Sequence, residues 1–175
     1  MSIHVVVMGV AGCGKSTVAE AIHERLGYVY AEGDDFHPQA NIDKMSAGIP
    51  LTDEDRWPWL KVINTWMVAR EALDENTVVS SSALKRSYRE VLAQNVPTFF
   101  VHLTGSQELI QQRLNERKGH FMPPARVLVH CGDGTFDHFL DAAFDGDFHA
   151  VLVWLEHRLI RHGRVRGRAV RQGVR

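Results

Sequence analysis

Two clusters in this chain have the residue types and spacing that phosphate chemistry requires. The first, Gly9-Val10-Ala11-Gly12-Cys13-Gly14-Lys15-Ser16, fits the pattern G-x-x-x-x-G-K-[ST] and is followed by Thr17. Glycines let the backbone turn so that successive N–H groups face phosphate oxygens. A lysine then reaches the outer phosphates, and the closing hydroxyl suits a magnesium ion. A chance match in a chain of this length has a probability of about one per cent or less. The second cluster, Glu32-Gly33-Asp34-Asp35-Phe36-His37-Pro38, gathers three carboxylates and a histidine behind an apolar run. Phosphoryl transfer needs one carboxylate to orient the attacking hydroxyl and accept its proton, and another to hold magnesium through water. Taken alone, the second cluster also suits a solvated turn that caps the next helix. The loop by itself implies only that a nucleotide binds, since many NTPases and kinases share it.

The elements that must position these groups alternate along the chain. Residues 3–8 are a short, mostly β-branched apolar run, the pattern of a strand buried on both faces. Residues 28–31, 77–81 and 98–103 resemble it, and residues 150–155 do so more weakly or continue into a helix. Between them, Val18, Ala19, Ile22 and Leu26 predict a helix over residues 15–26, and Leu60, Ile63 and Met67 predict one over residues 58–73. Arg113 and Arg117 share a face of a further helix that begins near Ser106. Phe136, Phe139, Leu140, Ala143 and Phe144 also fall at helical spacing, with Gly146 as a stop. Such an order predicts an α/β domain, a parallel sheet with helices on both faces and the site at the carboxyl ends of the strands.

Composition narrows the class. A chain of 175 residues suits one domain, read here as residues 1–175, and its 20 basic and 21 acidic side chains nearly cancel. That balance speaks against a nucleic-acid partner or an acidic membrane surface. No apolar run approaches a membrane span, and residues 3–8 lead straight into Gly9 with no basic leader. Of two cysteines, Cys13 lies inside the loop, so a disulfide framework is not expected and a reducing, cytoplasmic setting is.

Longer motifs carry a family resemblance. Gly33-Asp34-Asp35-Phe36-His37-Pro38 is followed by an unbroken run from Asn41 through Lys44, Met45, Asp53 and Arg56 to Leu60. Ser82-Ala83-Leu84-Lys85-Arg86-Ser87-Tyr88-Arg89 and Arg113-x-x-x-Arg117-Lys118-Gly119-His120-Phe121 come after it in order. Over residues 3–125 the chain closely resembles the gluconate kinase (gluconokinase) family. The resemblance implies a P-loop kinase fold related to shikimate and adenylate kinases, with a mobile lid and, usually, a homodimer. It implies ATP and Mg2+ as cofactors and transfer of the γ-phosphoryl group to the 6-hydroxyl of D-gluconate.

Carried residue by residue, it makes Gly9 to Thr17 the nucleotide site, with Lys15 catalytic and Ser16 on the metal. By comparison with shikimate kinases, Asp34 takes the place of the carboxylate at the acceptor hydroxyl, with Asp35 in reserve, and Glu32 that of the metal-associated one. His37, Lys44, Arg56, Lys85 and Arg89 supply cations for the acceptor's carboxylate. Arg113 and Arg117 belong to the lid over ATP, Arg117 steadying the migrating phosphoryl group, and His120 stands beside it as a substrate-binding residue. The alternatives are plain: Arg56 paired with Asp53 or Asp55, Lys85 and Arg89 in a solvated first helical turn, Arg113 and Arg117 on an exposed helix face. Trp59 and Tyr88 read as packing residues. No aspartate follows the strand at residues 77–81, where Ser80, Ser81 and Ser82 stand, so the metal-side carboxylate must come from residues 32–35.

Beyond Ala125 the resemblance ends. All five lysines precede Arg126, and residues 157–175 hold seven arginines and no carboxylate. A kinase for another small sugar acid, and a nucleotide-binding protein impaired in turnover by the altered residues 126–175, therefore stay open. Residues 157–175 have little apolar periodicity to offset the entropy of ordering, and are expected to be mobile. Truncation after Arg158 should leave melting temperature and phosphoryl transfer nearly unchanged, whereas truncation before Phe136 should unfold or inactivate the protein. Thermal melting and rate assays check both, and a destabilising short truncation would show that the tail is packed.

Overall fold

The chain's computed structural model describes residues 2–104, 107–116 and 140–143. In chain order these form β1 (His4–Met8), α1 (Lys15–Leu26), β2 (Val29–Glu32), a 3-10 turn (Gly33–Phe36), α2 (Gln39–Ser46) and α3 (Asp53–Glu71). β3 (Thr77–Ser81), α4 (Arg86–Leu92), β4 (Thr98–Thr104), α5 (Gln107–Glu116) and β5 (Leu140–Ala143) follow. The strands make one sheet in the order β2-β3-β1-β4-β5, and every described pairing is parallel.

β1 runs through the middle because both of its faces are apolar. Ile3, Val5 and Val7 pack with Val18, Ala19 and Ile22 of α1, while Val6 and Met8 pack with Trp59, Leu60, Ile63 and Met67 of α3 and Tyr88 and Leu92 of α4. Each such side chain contributes about 1.5–3 kcal/mol when fully buried. The chain leaves β1 for the β2–β3 side and later crosses to β4 on the other side. The loop after β1 therefore stands at the point where the strand order reverses, where open α/β sheets take their ligands.

Two expected elements differ from those observed. The helix expected from Pro58 starts at Asp53 instead, because Thr52 and Asp55 form a capping box and Asp53, Glu54 and Asp55 place negative charge in its first turn. Pro58 is accommodated inside it, where its missing N–H deprives a single carbonyl of its partner. The helical spacing across residues 136–144 is also overridden. Leu140–Ala143 is a strand, with Val101 opposite Leu140 and Thr104 opposite Ala143. Four residues are too few for periodicity to separate strand from helix, and the open edge of β4 offers hydrogen bonds that a helix would leave unused. The expectations for residues 150–155 and 157–175 lie outside the described residues.

At the amino end of the sheet, far along β1 from the loop, His4 is fully buried. Its Nδ1 lies 2.8 Å from Thr77 Oγ1 and its Nε2 lies 3.1 Å from Glu71 Oε2, which also accepts the Ser2 N–H at 3.0 Å. Burial holds the His4 imidazole below its ordinary value of 6.5, against the opposing pull of Glu71. The unfolded chain therefore takes up a proton that the fold resists. Stability from His4 is complete above the unfolded value and is lost as pH falls below it. The melting temperature is expected to drop between about pH 7.5 and about pH 5.5, and His4→Gln should flatten that slope in thermal melts at both pH values.

Candidate active site

The phosphate loop follows from close packing at the end of β1. A methyl group at Gly9 would lie 2.6 Å from the Leu103 carbonyl oxygen and 2.7 Å from Cys13 Sγ. Gly14 caps α1 with φ 98°, in the left-handed region that favours glycine. No side chain caps this helix, and its first turn carries no acid, so its N–H groups and positive dipole end face outward for an anion. Lys15 arches over the loop, its Nζ donating to the Val10 carbonyl at 3.0 Å. α5 abuts the same loop, since a methyl at Gly12 would come within 3.0 Å of Leu114.

β2 brings Glu32 to this loop. Its carboxylate accepts hydrogen bonds from Tyr30 Oη at 2.8 Å and from Ser80 Oγ. Burial pushes its pKa up, but hydrogen bonds from Ser80, Ser16 and Tyr30 and the Lys15 charge outweigh that, leaving Glu32 below the usual carboxylate value. Ser16, Lys15 and Glu32 thus lie beside one another. They are oxygen donors beside a cation, a set that fits a hard ion keeping most of its waters. Among the described residues no group of three or more His, Cys, Asp and Glu is placed to hold a metal by itself.

The 3-10 turn then carries Asp34 and Asp35 to the surface. Gly33 is pinned on both sides, its N–H donating to Ser80 Oγ at 3.3 Å and its carbonyl accepting Trp59 Nε1–H at 2.6 Å. The Trp59 indole also stacks on His37, with centroids 4.2 Å apart and 18° between planes. Asn41, itself buried, donates to His37 Nδ1 at 3.2 Å and to the Asp55 carbonyl at 2.9 Å. This assigns the proton of the neutral ring to Nε2, which lies 3.9 Å from Asp34 Oδ1. Burial lowers the His37 pKa, with Asp34 opposing and the Arg56 charge assisting.

The cations divide into distinct groups. Lys44 Nζ bonds both oxygens of Asp55, at 2.7 and 2.9 Å, and this interaction with the Thr52 cap brings the Asp55 pKa down to about 2. Lys85 Nζ bonds both oxygens of Asp53 at 2.7 Å, and Tyr88 Oη donates to the same carboxylate at 2.5 Å. Arg89 is buried and donates to the Ala83 and Leu84 carbonyls, at 3.1 and 2.8 Å, shaping the turn into α4. Arg56 donates to the Leu51 carbonyl and lies 5.9 Å from the Tyr88 ring centroid. No described ion pair includes it. The expected alternative, Arg56 on Asp53 or Asp55, is thus taken over by Lys85 and Lys44.

A family model described as an AAA domain matches residues 5–122. A gluconokinase of Gluconobacter oxydans (strain 621H) is 50% identical over 119 residues, 67% of this chain and 67% of that protein. A probable gluconokinase of Xenopus tropicalis is 43% identical over 179 aligned positions, covering 90% of this chain and 93% of its own. This chain belongs to the gluconokinase family. The solved gluconokinase of Sinorhizobium meliloti 1021 agrees in fold, with TM-score 0.71 at 40% identity across 91% of this chain and 96% of that one.

Within this gluconokinase-family fold, the described structure places Gly9 to Thr17, Glu32, Asp34 and His37 around the carboxyl ends of β1 and β2. Lys44, Arg56, Lys85 and Arg89 surround the helices next to them. Arg113 lies on α5, while its side chain, Arg117 and His120 lie outside the described residues. Sequence reasoning missed Tyr30 and Asn41 as partners of site groups, and it weighed Asp53 and Asp55 as partners of Arg56 where the structure pairs them with Lys85 and Lys44. It read Trp59 as packing, and Trp59 is indeed buried in the core, where its indole N–H also holds the turn that bears Asp34. A methyl group at Gly33 would lie 2.0 Å from the Ser80 carbonyl oxygen. Gly33→Ala should accordingly cost about 1–3 kcal/mol by overpacking and lower kcat by displacing Asp34. Denaturant melts and initial rates check this; unchanged values would show that the turn is not held against β3.

Proposed function

We propose that this chain transfers the γ-phosphoryl group of ATP to the 6-hydroxyl of D-gluconate, giving 6-phospho-D-gluconate. The observation that carries the reading is the convergence of Lys15, Ser16 and Glu32 at the head of α1, one residue away from the turn that presents Asp34. Loop N–H groups and the α1 dipole would hold the phosphates, and Lys15 would move from the Val10 carbonyl to the outer oxygens. Ser16 would hold Mg2+ directly and Glu32 through water; the ion supplies charge neutralisation at the phosphates. Asp34, on an exposed turn, orients the acceptor hydroxyl and takes its proton, while neutral His37 offers its Nε2–H beside it.

The acceptor's carboxylate needs a cation that is not already occupied. Lys44 and Lys85 face aspartates, and Arg89 serves backbone carbonyls. Arg56 keeps most of its planar N–H fork available, which makes it the leading receptor. Arg113 and Arg117 close over the nucleotide in this reading. A homodimer and a cytoplasmic setting belong to the same reading. No helix among the described residues is long and apolar enough to cross a membrane.

Asp34→Asn should lower kcat by about 10²–10⁴ with little change in ATP affinity, since the loop holds the nucleotide. Lys15→Ala should cost at least about 3 kcal/mol in the transition state without changing the melting temperature. Steady-state kinetics with gluconate and a panel of sugar acids, alongside calorimetric ATP binding, decide the matter. Near-normal turnover in either variant, or preference for another acid, would overturn the assignment.

A further inference from the structure

One buried hydroxyl touches both halves of the site. Ser80 is fully buried near the end of β3, where its register partner across the sheet is Glu32. Its Oγ donates to Glu32 Oε1 and accepts the Gly33 N–H at 3.3 Å. Glu32 is the carboxylate next to Ser16 and Lys15, and Gly33 opens the turn that bears Asp34. Beyond the Ser16 hydroxyl beside Glu32, each of these groups has one further support. Tyr30 holds the other oxygen of Glu32 at 2.8 Å, and Trp59 holds the carbonyl of Gly33 at 2.6 Å. Tyr30 has no described bond to the turn, and Trp59 has none to Glu32. Ser80 alone of the three belongs to both sets.

We propose that Ser80 is a positioning residue that sets Glu32 relative to Asp34, so that a single hydroxyl aligns the nucleotide side of the site with the acceptor side. In-line transfer is sensitive to displacements of about 1 Å, and two carboxylates two residues apart hold their spacing only if the backbone between them is pinned. The Ser80 hydroxyl pins it with one donated and one accepted bond. It stands at the strand end from which related enzymes project a carboxylate to the metal; here the strand supplies a hydroxyl and delegates the charge to Glu32. Other buried hydroxyls at this strand end lack such a position: Ser81 Oγ has no partner among the described residues.

The inference rests on the roles given above to Glu32 and Asp34. Its test uses the full chain with Ser80→Ala, Ser80→Thr, Tyr30→Phe and Trp59→Phe. Three quantities are read: kcat, KM for gluconate, and the magnesium dependence of ADP binding by calorimetry. Ser80→Ala should lower kcat about tenfold or more, the scale of a lost hydrogen bond to a charged group, and should also raise KM for gluconate and weaken magnesium-dependent ADP binding. Tyr30→Phe should move ADP binding and leave KM for gluconate, Trp59→Phe should do the reverse, and Ser80→Thr should recover part of the loss. Should Ser80→Ala not fold, Ser80→Cys keeps the volume with a weak donor and carries the same expectations. A Ser80 variant that shifts only one side, or that lowers the melting temperature with kinetics intact, overturns the proposal. If Glu32→Gln and Asp34→Asn are themselves silent, the site reading fails and this inference with it; if they are crippling and Ser80→Ala is not, only this inference fails.

Discussion

Parallel pairing of β1 with β3 and β4 sets where every reacting group stands. All described strands point the same way, so their carboxyl ends share one edge and whatever follows them meets there. Val5 opposite Val78 and Phe99, and Val7 opposite Ser80 and Val101, leave no freedom in register once both faces of β1 are buried. A one-residue slip would turn Val6 and Met8 toward α1 and Val5 and Val7 toward α3 and α4, breaking both clusters at once. The loop at Gly9 and the hydroxyl of Ser80 are thereby fixed to one another through the sheet, before any ligand contributes.

The same constraint explains why the acceptor turn is held by uncharged contacts. Gly33 is clamped between a serine hydroxyl and an indole N–H, and His37 lies flat against that indole. The two contacts on Gly33 involve no group that titrates near neutral pH, whereas the His37 ring keeps its Asn41 bond only while neutral. Charge is kept for the surface. Asp34 and Asp35 are exposed, and the Lys44–Asp55 and Lys85–Asp53 pairs sit at or near solvent, where ion pairs contribute modestly to stability and are screened by salt. The aspartates that cap and open α3 thus serve twice, once in starting the helix and once in setting where the lysines rest.

Buried Arg89, held on backbone carbonyls, is one exception, and the partly buried carboxylate of Glu32 is another. Its burial is offset by three hydroxyls, from Ser80, Ser16 and Tyr30, and by the nearby ammonium of Lys15. A carboxylate with this many donors stays ionised and stays in one rotamer, which is what an oxygen donor beside a phosphate site needs. Tyr30 meets it because two residues along a strand return to the same face.

Much of this was legible from residue types and spacing. The loop from Gly9 to Ser16, the strands of β1 to β4, α1, and the apolar stripe of Leu60, Ile63 and Met67 on α3 all follow from local pattern, because the backbone turn, the strand period and the helix period each repeat within a few residues. The motifs from Gly33 to Arg89 also carried the family resemblance without any structure. Tertiary structure alone decided the partners. Nothing local says that Ser80 meets Glu32 across 48 positions of chain, that Trp59 reaches back to the Gly33 carbonyl, or that Lys85 rather than Arg56 faces Asp53. It likewise decided that Leu140–Ala143 joins the edge of β4 as a strand. Local pattern constrains φ and ψ over a turn or two, whereas these contacts depend on which strands lie side by side and in what register, a property of the packed chain as a whole.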